Sequence, residues 1–375
     1  MTDESPRCRH VYVHVPFCSR RCSYCDFSIA VRRDVPAAAF ADSIAVEFGR
    51  RHGHAGLANV ETLYFGGGTP SKLGPRGVAD LISRLHDSGL GLAKGAEVTL
   101  EANPEDISQD AAEAWLEAGV GRLSVGVQSF SDESLTWMHR THSANQAEAG
   151  FQAARAAGFG DISLDLIYAL PARLGRAWEA DLERAIALAP DHLSVYGLTV
   201  EPRTPLGKWT SRGAEVQQTD DRSAEEFLVA GRLLGLAGFD HYEVSSYARP
   251  GKRSRHNSAY WRRVPYLGLG PSAHSFDGAS RRWNLSALAA WEAALANGDD
   301  PVDGTEQLTP DQHAAEAIYL QLRSDGGATL RSEANAGRAK RWVEEGWASF
   351  DGAKTRLTAE GWLRLDALVA SLDPE

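Results

Sequence analysis

The sequence predicts an α/β protein: an open (β/α)6 partial barrel followed by a small C-terminal helical, winged-helix-like domain. Three observations lead there. Six short apolar runs recur between residues 11 and 198, with amphipathic helix-length segments between them, the alternation that builds parallel βαβ units. Six units are too few to close an eight-stranded barrel. After Trp283 the pattern changes to short helices and a hairpin signal, Asp351-Gly352, the mark of a second module.

In order, strands are expected at 11–15, 60–65, 97–101, 122–127, 161–167 and 192–198, and helices at 37–51, 76–88, 107–118, 145–157 and 176–188. Residues 205–218 read as a polar loop, 221–236 as a helix and 239–245 as an edge strand. A helix over 285–297 leads into a turn-rich linker, 298–304. Thr309 as N-cap with Pro310 at N1 starts the next helix, near 314–322. Short helices at 331–336 and 339–345, a hairpin over 347–357 and one closing helix over 358–372 follow. The domains are then 1–240 (core barrel), 241–297 (an extension of it) and 305–375 (the C-terminal module). That module has mixed charge and no arginine-rich recognition helix, so it is expected to cover the barrel mouth rather than bind DNA.

The bulk numbers exclude several classes. A net charge of −11 argues against general nucleic-acid binding. No apolar run is long enough to span a membrane, and residues 1–7 lack the apolar core of a signal peptide, so a cytosolic protein is expected.

The chemistry is signalled by Cys18-Ser19-Arg20-Arg21-Cys22-Ser23-Tyr24-Cys25, directly after the first strand. A zinc site usually adds a second ligand pair, and no cysteine follows Cys25. Disulfides would need an oxidising compartment. An Fe–S cluster that only carries electrons takes four protein ligands; three leave one iron open to a small chelating molecule. S-adenosylmethionine (SAM) offers an amino and a carboxylate group for that. Cys8 stands apart and reads as a small hydrophobe. Gly66-Gly67-Gly68-Thr69-Pro70 follows the second strand, where glycines let a backbone approach a ligand or shape a tight turn. Glu101 ends the third strand and suits a ribose hydroxyl or a helix cap. Asp165 lies inside an apolar strand and calls for a partner; Arg140 is the expected one.

The C-x3-C-x2-C spacing after Tyr12-Val13-His14-Val15-Pro16-Phe17, with Phe65-Gly66-Gly67-Gly68-Thr69-Pro70 behind it, resembles the radical SAM superfamily. More narrowly it resembles the oxygen-independent coproporphyrinogen III oxidase-like family, over nearly the whole chain. The resemblance implies a [4Fe-4S] cluster on Cys18, Cys22 and Cys25. It also implies SAM contacts from Tyr12, Tyr24, Gly67, Gly68, Thr69, Glu101, Gln128, Arg140 and Asp165. One-electron cleavage of SAM to methionine and a 5′-deoxyadenosyl radical is the chemistry such a site would run.

Residues 249–276 form a basic, aromatic, histidine-bearing stretch in an acidic chain, with Arg249, Lys252, Arg253, Arg255, Arg262 and Arg263. Arginines suit propionate carboxylates and His is a common haem ligand; a surface loop anchored by Tyr260 and Trp261 is the plain alternative. The His-Asn-x-x-Tyr-Trp arrangement at His256, Asn257, Tyr260 and Trp261 resembles a signature of the family's haem-chaperone branch. It implies haem as cargo and delivery to haem-dependent proteins such as membrane-bound respiratory enzymes, with peripheral membrane association through the partner; a homodimer is compatible with that branch. His14, His241 and His274 compete with His256 as the iron ligand. The alternative function is an oxygen-independent coproporphyrinogen III dehydrogenase making protoporphyrinogen IX. Against it, Phe27 stands where that enzyme carries a fourth cysteine, and only a short stretch precedes the first strand.

Overall fold

The computed structural model describes residues 8–55, 57 and 59–373. Its first half runs β1 (His10–Val15), α1 (Ala37–Ala55), β2 (Val60–Gly67), α2 (Gly74–Asp87), β3 (Leu92–Ala102) and α3 (Gln109–Glu117). It continues with β4 (Arg122–Gln128), α4 (Asp132–Trp137), α5 (Ala144–Ala157), β5 (Ile162–Tyr168), α6 (Trp178–Ala187) and β6 (His192–Gly197). Each of the six strands pairs in parallel with the next.

Strand alternation sorts the side chains. In β1, Val11, Val13 and Val15 join Phe40, Ile44 and Phe48 of α1 in the apolar core, whereas His10, Tyr12 and His14 face the inside of the curved sheet. α2 buries Val78, Leu81, Ile82 and Leu85, the i, i+3, i+4, i+7 stripe of a helix docked on one face. The inner face is polar: Thr62, Thr99, Ser124, Ser163 and Ser194 are all buried there.

One expectation fails between β6 and the next strand. Residues 205–218 are not all loop, because α7 (Pro205–Ser211) forms with Thr204 as N-cap, its hydroxyl accepting from Gly207 N at 3.0 Å, and proline at N1. α8 (Asp220–Leu236) follows, then β7 (Asp240–Glu243) and β8 (Ser246–Ala248). Antiparallel pairing of β8 with β6 places β7 at one edge of the sheet.

The other side of β1 is extended too. α9 (Arg255–Trp261) leads to β9 (Tyr266–Leu269), which pairs in parallel with β1. β10 (His274–Phe276), β11 (Ser280–Asn284), α10 (Leu288–Asn297) and β12 (Val302–Gln307) come next, the strands antiparallel. The expected linker at 298–304 therefore runs into a strand, since Val302 and Gly304 pair with Asn284 and Trp283. The result is one open mixed sheet of twelve strands with β12 and β7 at its edges.

The C-terminal part comprises α11 (Pro310–Leu322), α12 (Glu333–Glu344), the strand pair β13 (Ala348–Phe350) and β14 (Thr355–Leu357), α13 (Ala359–Trp362) and α14 (Leu365–Ala370). Two short helices are thus one, α12, and the closing helix is two, broken at Leu363 and Arg364. Leu322, Trp342, Leu357, Trp362 and Leu368 form a separate core that takes in Phe227 of α8. Among the described residues no helix is long and apolar enough to cross a membrane.

Candidate functional site

The C-terminal ends of β1 to β6 surround a cavity of ≈ 500 Å³, where barrels of parallel strands carry their chemistry. The loop after β1 bears the cysteines, and its position is set by backbone bonds. Thr69 N donates to Phe17 O (2.8 Å), Ala30 N to Pro16 O (2.7 Å), Ser23 N to Met138 O (3.1 Å) and Leu206 N to Ser23 O (2.8 Å). The last of these comes from α7, the helix that was expected to be loop.

Cys18, Cys22 and Cys25 all line this cavity. Cys18 Sγ lies 3.4 Å from Thr69 Oγ1, and Arg140 Nη1 donates to Cys22 Sγ at 3.6 Å. Burial raises the Cys18 thiol and pushes the Cys25 thiol up to about 11, so these two stay protonated until a cation is there to hold. Among the described residues no three His, Cys, Asp or Glu side chains converge where one metal ion could sit. A multi-iron cluster asks for another arrangement: each thiolate takes a different iron, so the sulfurs stand apart around it. The donor set, all sulfur and three in number, suits an Fe–S cluster with one iron left open.

Of the SAM candidates, Tyr24, Gly67, Gly68, Thr69, Glu101, Gln128, Arg140 and Asp165 line the same cavity. Tyr12 does not; its hydroxyl lies 3.1 Å from His14 Nδ1 and its ring lines a second cavity. The glycines are demanded by the protein itself. A Cβ on Gly68 would stand 2.7 Å from the Pro16 carbonyl, and one on Gly67, whose φ is +108°, would stand 2.5 Å from the His14 ring. Gln128 takes a left-handed conformation, φ 67°, at the irregularity that ends the β4–β5 register.

Glu101 accepts from Tyr64 Oη (2.8 Å) and Gly67 N (3.1 Å). Burial, helped by Asp165 and opposed by these two bonds, pushes its carboxyl up to about 7. The expected Asp165–Arg140 pair is not formed. Asp165 accepts from Ser124 Oγ, 3.1 Å to each carboxylate oxygen. Arg140 instead donates to Asn103 Oδ1 (2.7 Å) and Gly126 O (2.8 Å) besides Cys22. Ser124 stands on the adjacent strand β4, opposite Ser163 and within reach of Asp165 two residues on; Arg140 is committed to the cysteine loop. Asn103, two residues past Glu101, was not singled out from the sequence.

The second cavity, ≈ 640 Å³, adjoins the first: Asp26, Phe27, Gly67 and Glu101 line both. Its walls are aromatic, with Tyr12, Tyr260, Trp261, Tyr266 and Phe276, and it also carries His274, Arg263 and Arg281. Phe27 is 60% exposed at the shared rim.

The structure splits the His-Asn-x-x-Tyr-Trp stretch. Tyr260 and Trp261 line the second cavity, and His256 and Asn257 do not. His256 is 1% exposed. Its Nδ1 lies 2.6 Å from Thr62 Oγ1 and its Nε2 2.8 Å from Tyr260 Oη, so both ring nitrogens are taken. Burial and the neighbouring His10 push it down to about 3, leaving it neutral. It is therefore not open to an iron atom. Nor do Arg249, Lys252, Arg253 and Arg255 face the cavity. They bind Ala237 O, Gly160 O, Asp325 and Gly95 O respectively, fastening 249–255 to the barrel. The arginines at the cavity are Arg263 and Arg281, which share Glu316 of α11.

Residues 12–185 match the Radical SAM superfamily. The heme chaperone HemW of Mycobacterium tuberculosis is 35% identical over 96% of this chain and 94% of its own length. The heme chaperone HemW of Bacillus subtilis is 31% identical over 92% of this chain and 88% of its own. The solved structure of coproporphyrinogen III oxidase (HemN) from Escherichia coli, a radical SAM enzyme, superposes with a TM-score of 0.82 at 22% identity, covering 98% of this chain and 90% of that one. It shares the fold. The chain belongs to the radical SAM superfamily and, within it, to the family of the HemW heme chaperones.

Proposed function

We propose that the protein is a haem chaperone: it holds haem in the second cavity and passes it to haem-dependent proteins, membrane-bound respiratory enzymes among them. The observation that carries this is the second cavity itself. Its volume of ≈ 640 Å³ falls within the roughly 300–1,000 Å³ of small-molecule sites. Its aromatic walls suit a flat macrocycle and its arginine pair suits propionates. The names of the relatives point the same way.

Cys18, Cys22 and Cys25 would hold the [4Fe-4S] cluster, with Thr69 and Arg140 against its sulfur ligands. Tyr24, Gly67, Gly68, Glu101, Gln128 and Asp165 would hold SAM in the space left beside it. When bound, the cluster supplies single electrons to the sulfonium of SAM. The chain's own part is to shield that space and fix the groups around it. Gly67, Glu101 and Phe27 form a wall common to both cavities.

The test is anaerobic reconstitution of the cluster, followed on one sample by hemin titration and a coproporphyrinogen III turnover assay. Stoichiometric hemin uptake with no protoporphyrinogen IX formed is the expected result. Decarboxylated product with SAM consumed would replace this reading with the dehydrogenase.

A further inference from the structure

We propose that His274 is the axial ligand to the haem iron in the second cavity, with Arg263 and Arg281 receiving the propionates in place of Glu316. The assignment rests on the haem reading above and adds the iron ligand and the anchor.

Four histidines were candidates, and their surroundings separate them. His256 has both nitrogens engaged. So has His14, by Tyr12 Oη at 3.1 Å and by Ser28 O, which Nε2 meets at 2.9 Å. His241 stacks on Tyr247 at 4.0 Å and meets the Trp362 ring edge-on at 4.4 Å, in the contact between barrel and C-terminal core. His14 and His274 both line the second cavity, and of the four only His274 is exposed. Among the described residues its ring nitrogens make no hydrogen bond. Burial and the adjacent Arg281 keep its pKa below the ordinary histidine value, which favours the neutral imidazole that binds iron.

The backbone holds His274 firmly. A Cβ on Gly268 would stand 2.0 Å from the His274 carbonyl, and one on Gly270, with φ +94°, 2.5 Å from His14 O. The hairpin of β9 and β10 thus closes only with glycine at both positions. Arg51 donates to Gly268 O (2.6 Å) and to Ser275 Oγ (2.9 Å), beside buried Glu47, which accepts from Gly270 N (2.8 Å). The His274 ring lies on Trp283, centroids 5.9 Å apart and planes 26° apart. A ligand held by its own strand and a stacked indole is set before its metal arrives.

Arg263 and Arg281 supply the second element. Both pair with Glu316, Arg263 at 3.0 Å, so a carboxylate from α11 already sits where a propionate would. A propionate is the same chemical group and competes for the same two guanidinium forks. Loading then frees Glu316, and the return of Glu316 favours release.

The test is hemin titration of the full chain, followed by absorption and electron paramagnetic resonance. Wild type should show a nitrogen-ligated ferric spectrum. His274→Ala, checked for an unchanged unfolding midpoint, should lose that signature and regain it with added imidazole. His274→Met should exchange it for a sulfur-ligated one. Glu316→Gln should bind hemin several-fold more tightly. A nitrogen-ligated spectrum that survives in both His274 variants would overturn the ligand assignment alone, and an unchanged or weaker Kd in Glu316→Gln would overturn the propionate seat. No hemin uptake by wild type would overturn both together with the haem reading beneath them.

Discussion

The hydroxyl of Tyr260 and Nε2 of His256 lie 2.8 Å apart, one side chain lining the second cavity and the other sealed inside the sheet. The link continues inward: His256 Nδ1 is 2.6 Å from Thr62 Oγ1, which is 2.9 Å from His10 Nδ1. The His256 ring also stacks on Tyr64 with centroids 4.9 Å apart, and Tyr64 holds Glu101 at the wall of both cavities. His256 thus ties α9 to the floor of the site.

Replacing it should act through stability. His256→Ala leaves a void and takes one partner each from the hydroxyls of Thr62, which keeps His10, and of Tyr260, a loss of roughly 3–5 kcal/mol by analogy with buried aromatic truncations. Urea unfolding checks this. A variant that keeps wild-type stability but no longer takes up hemin would mean that His256 meets the ligand directly.

Gly68→Ala tests the contact that sets the cysteine loop. The new Cβ would meet backbone, Pro16 C and O at 2.7 Å, which cannot rotate away. Overpacking of this kind destabilises by about 1–3 kcal/mol, and the shift should lower iron and sulfide content after reconstitution. Gly91→Ala, with nothing within 4 Å, should change stability by less than about 0.5 kcal/mol. Equal behaviour of the two variants would remove the packing argument.

Arg140 should tune the cluster. Burial works against its charge, but Tyr24, Cys22 and Glu105 outweigh that and hold the guanidinium protonated. A cation bonded to a ligating sulfur stabilises the reduced cluster. Arg140→Ala should therefore load with iron but titrate at a more negative reduction potential, followed by electron paramagnetic resonance. An unchanged potential would show that the Arg140–Cys22 bond does not survive loading.

Local signals in the sequence transferred well to the structure. The strands β1 to β6 carry on their core face the Val, Leu and Ile that marked them as strands, and the cysteines, eight residues end to end, had to share a loop. Direction and distant pairing did not transfer. Nothing in the stretch around His256 says which of its side chains turn inward, because that depends on Thr62 of β2, against the ring, and Glu97 of β3, which accepts from the backbone N of Arg255 and of His256. Asp165 was matched with Arg140 because a charge invites a charge, while Ser124 in the next strand satisfies it with a neutral donor. Strands of three to five residues such as β8, β9 and β10 carry too little periodicity to detect. α7 was legible in principle from Thr204-Pro205, and its polar composition hid it.

Glu101 gives the fold and the site a common dependence on pH. Its folded carboxyl titrates at about 7, above the unfolded value of about 4.3. A raised folded value means that the stabilising contribution is fully present below about pH 4.3 and is lost as pH rises through about 7. Glu101→Gln removes that slope, so the variant should gain on wild type between pH 5 and 8, by an amount on the order of 3 kcal/mol. Urea midpoints across that range read it directly. The same proton opposes ligand binding, because an ionised carboxylate accepts from a hydroxyl or ammonium donor more strongly than a protonated carboxyl does. If SAM sits against Glu101, its affinity for the reconstituted protein should rise from pH 6 to pH 8 and release a proton, and calorimetry in two buffers of different ionisation heat would detect that proton. Affinity flat with pH in wild type, alongside the stability slope, would place SAM elsewhere in the cavity and leave Glu101 with Tyr64 and Gly67 as a purely structural acid.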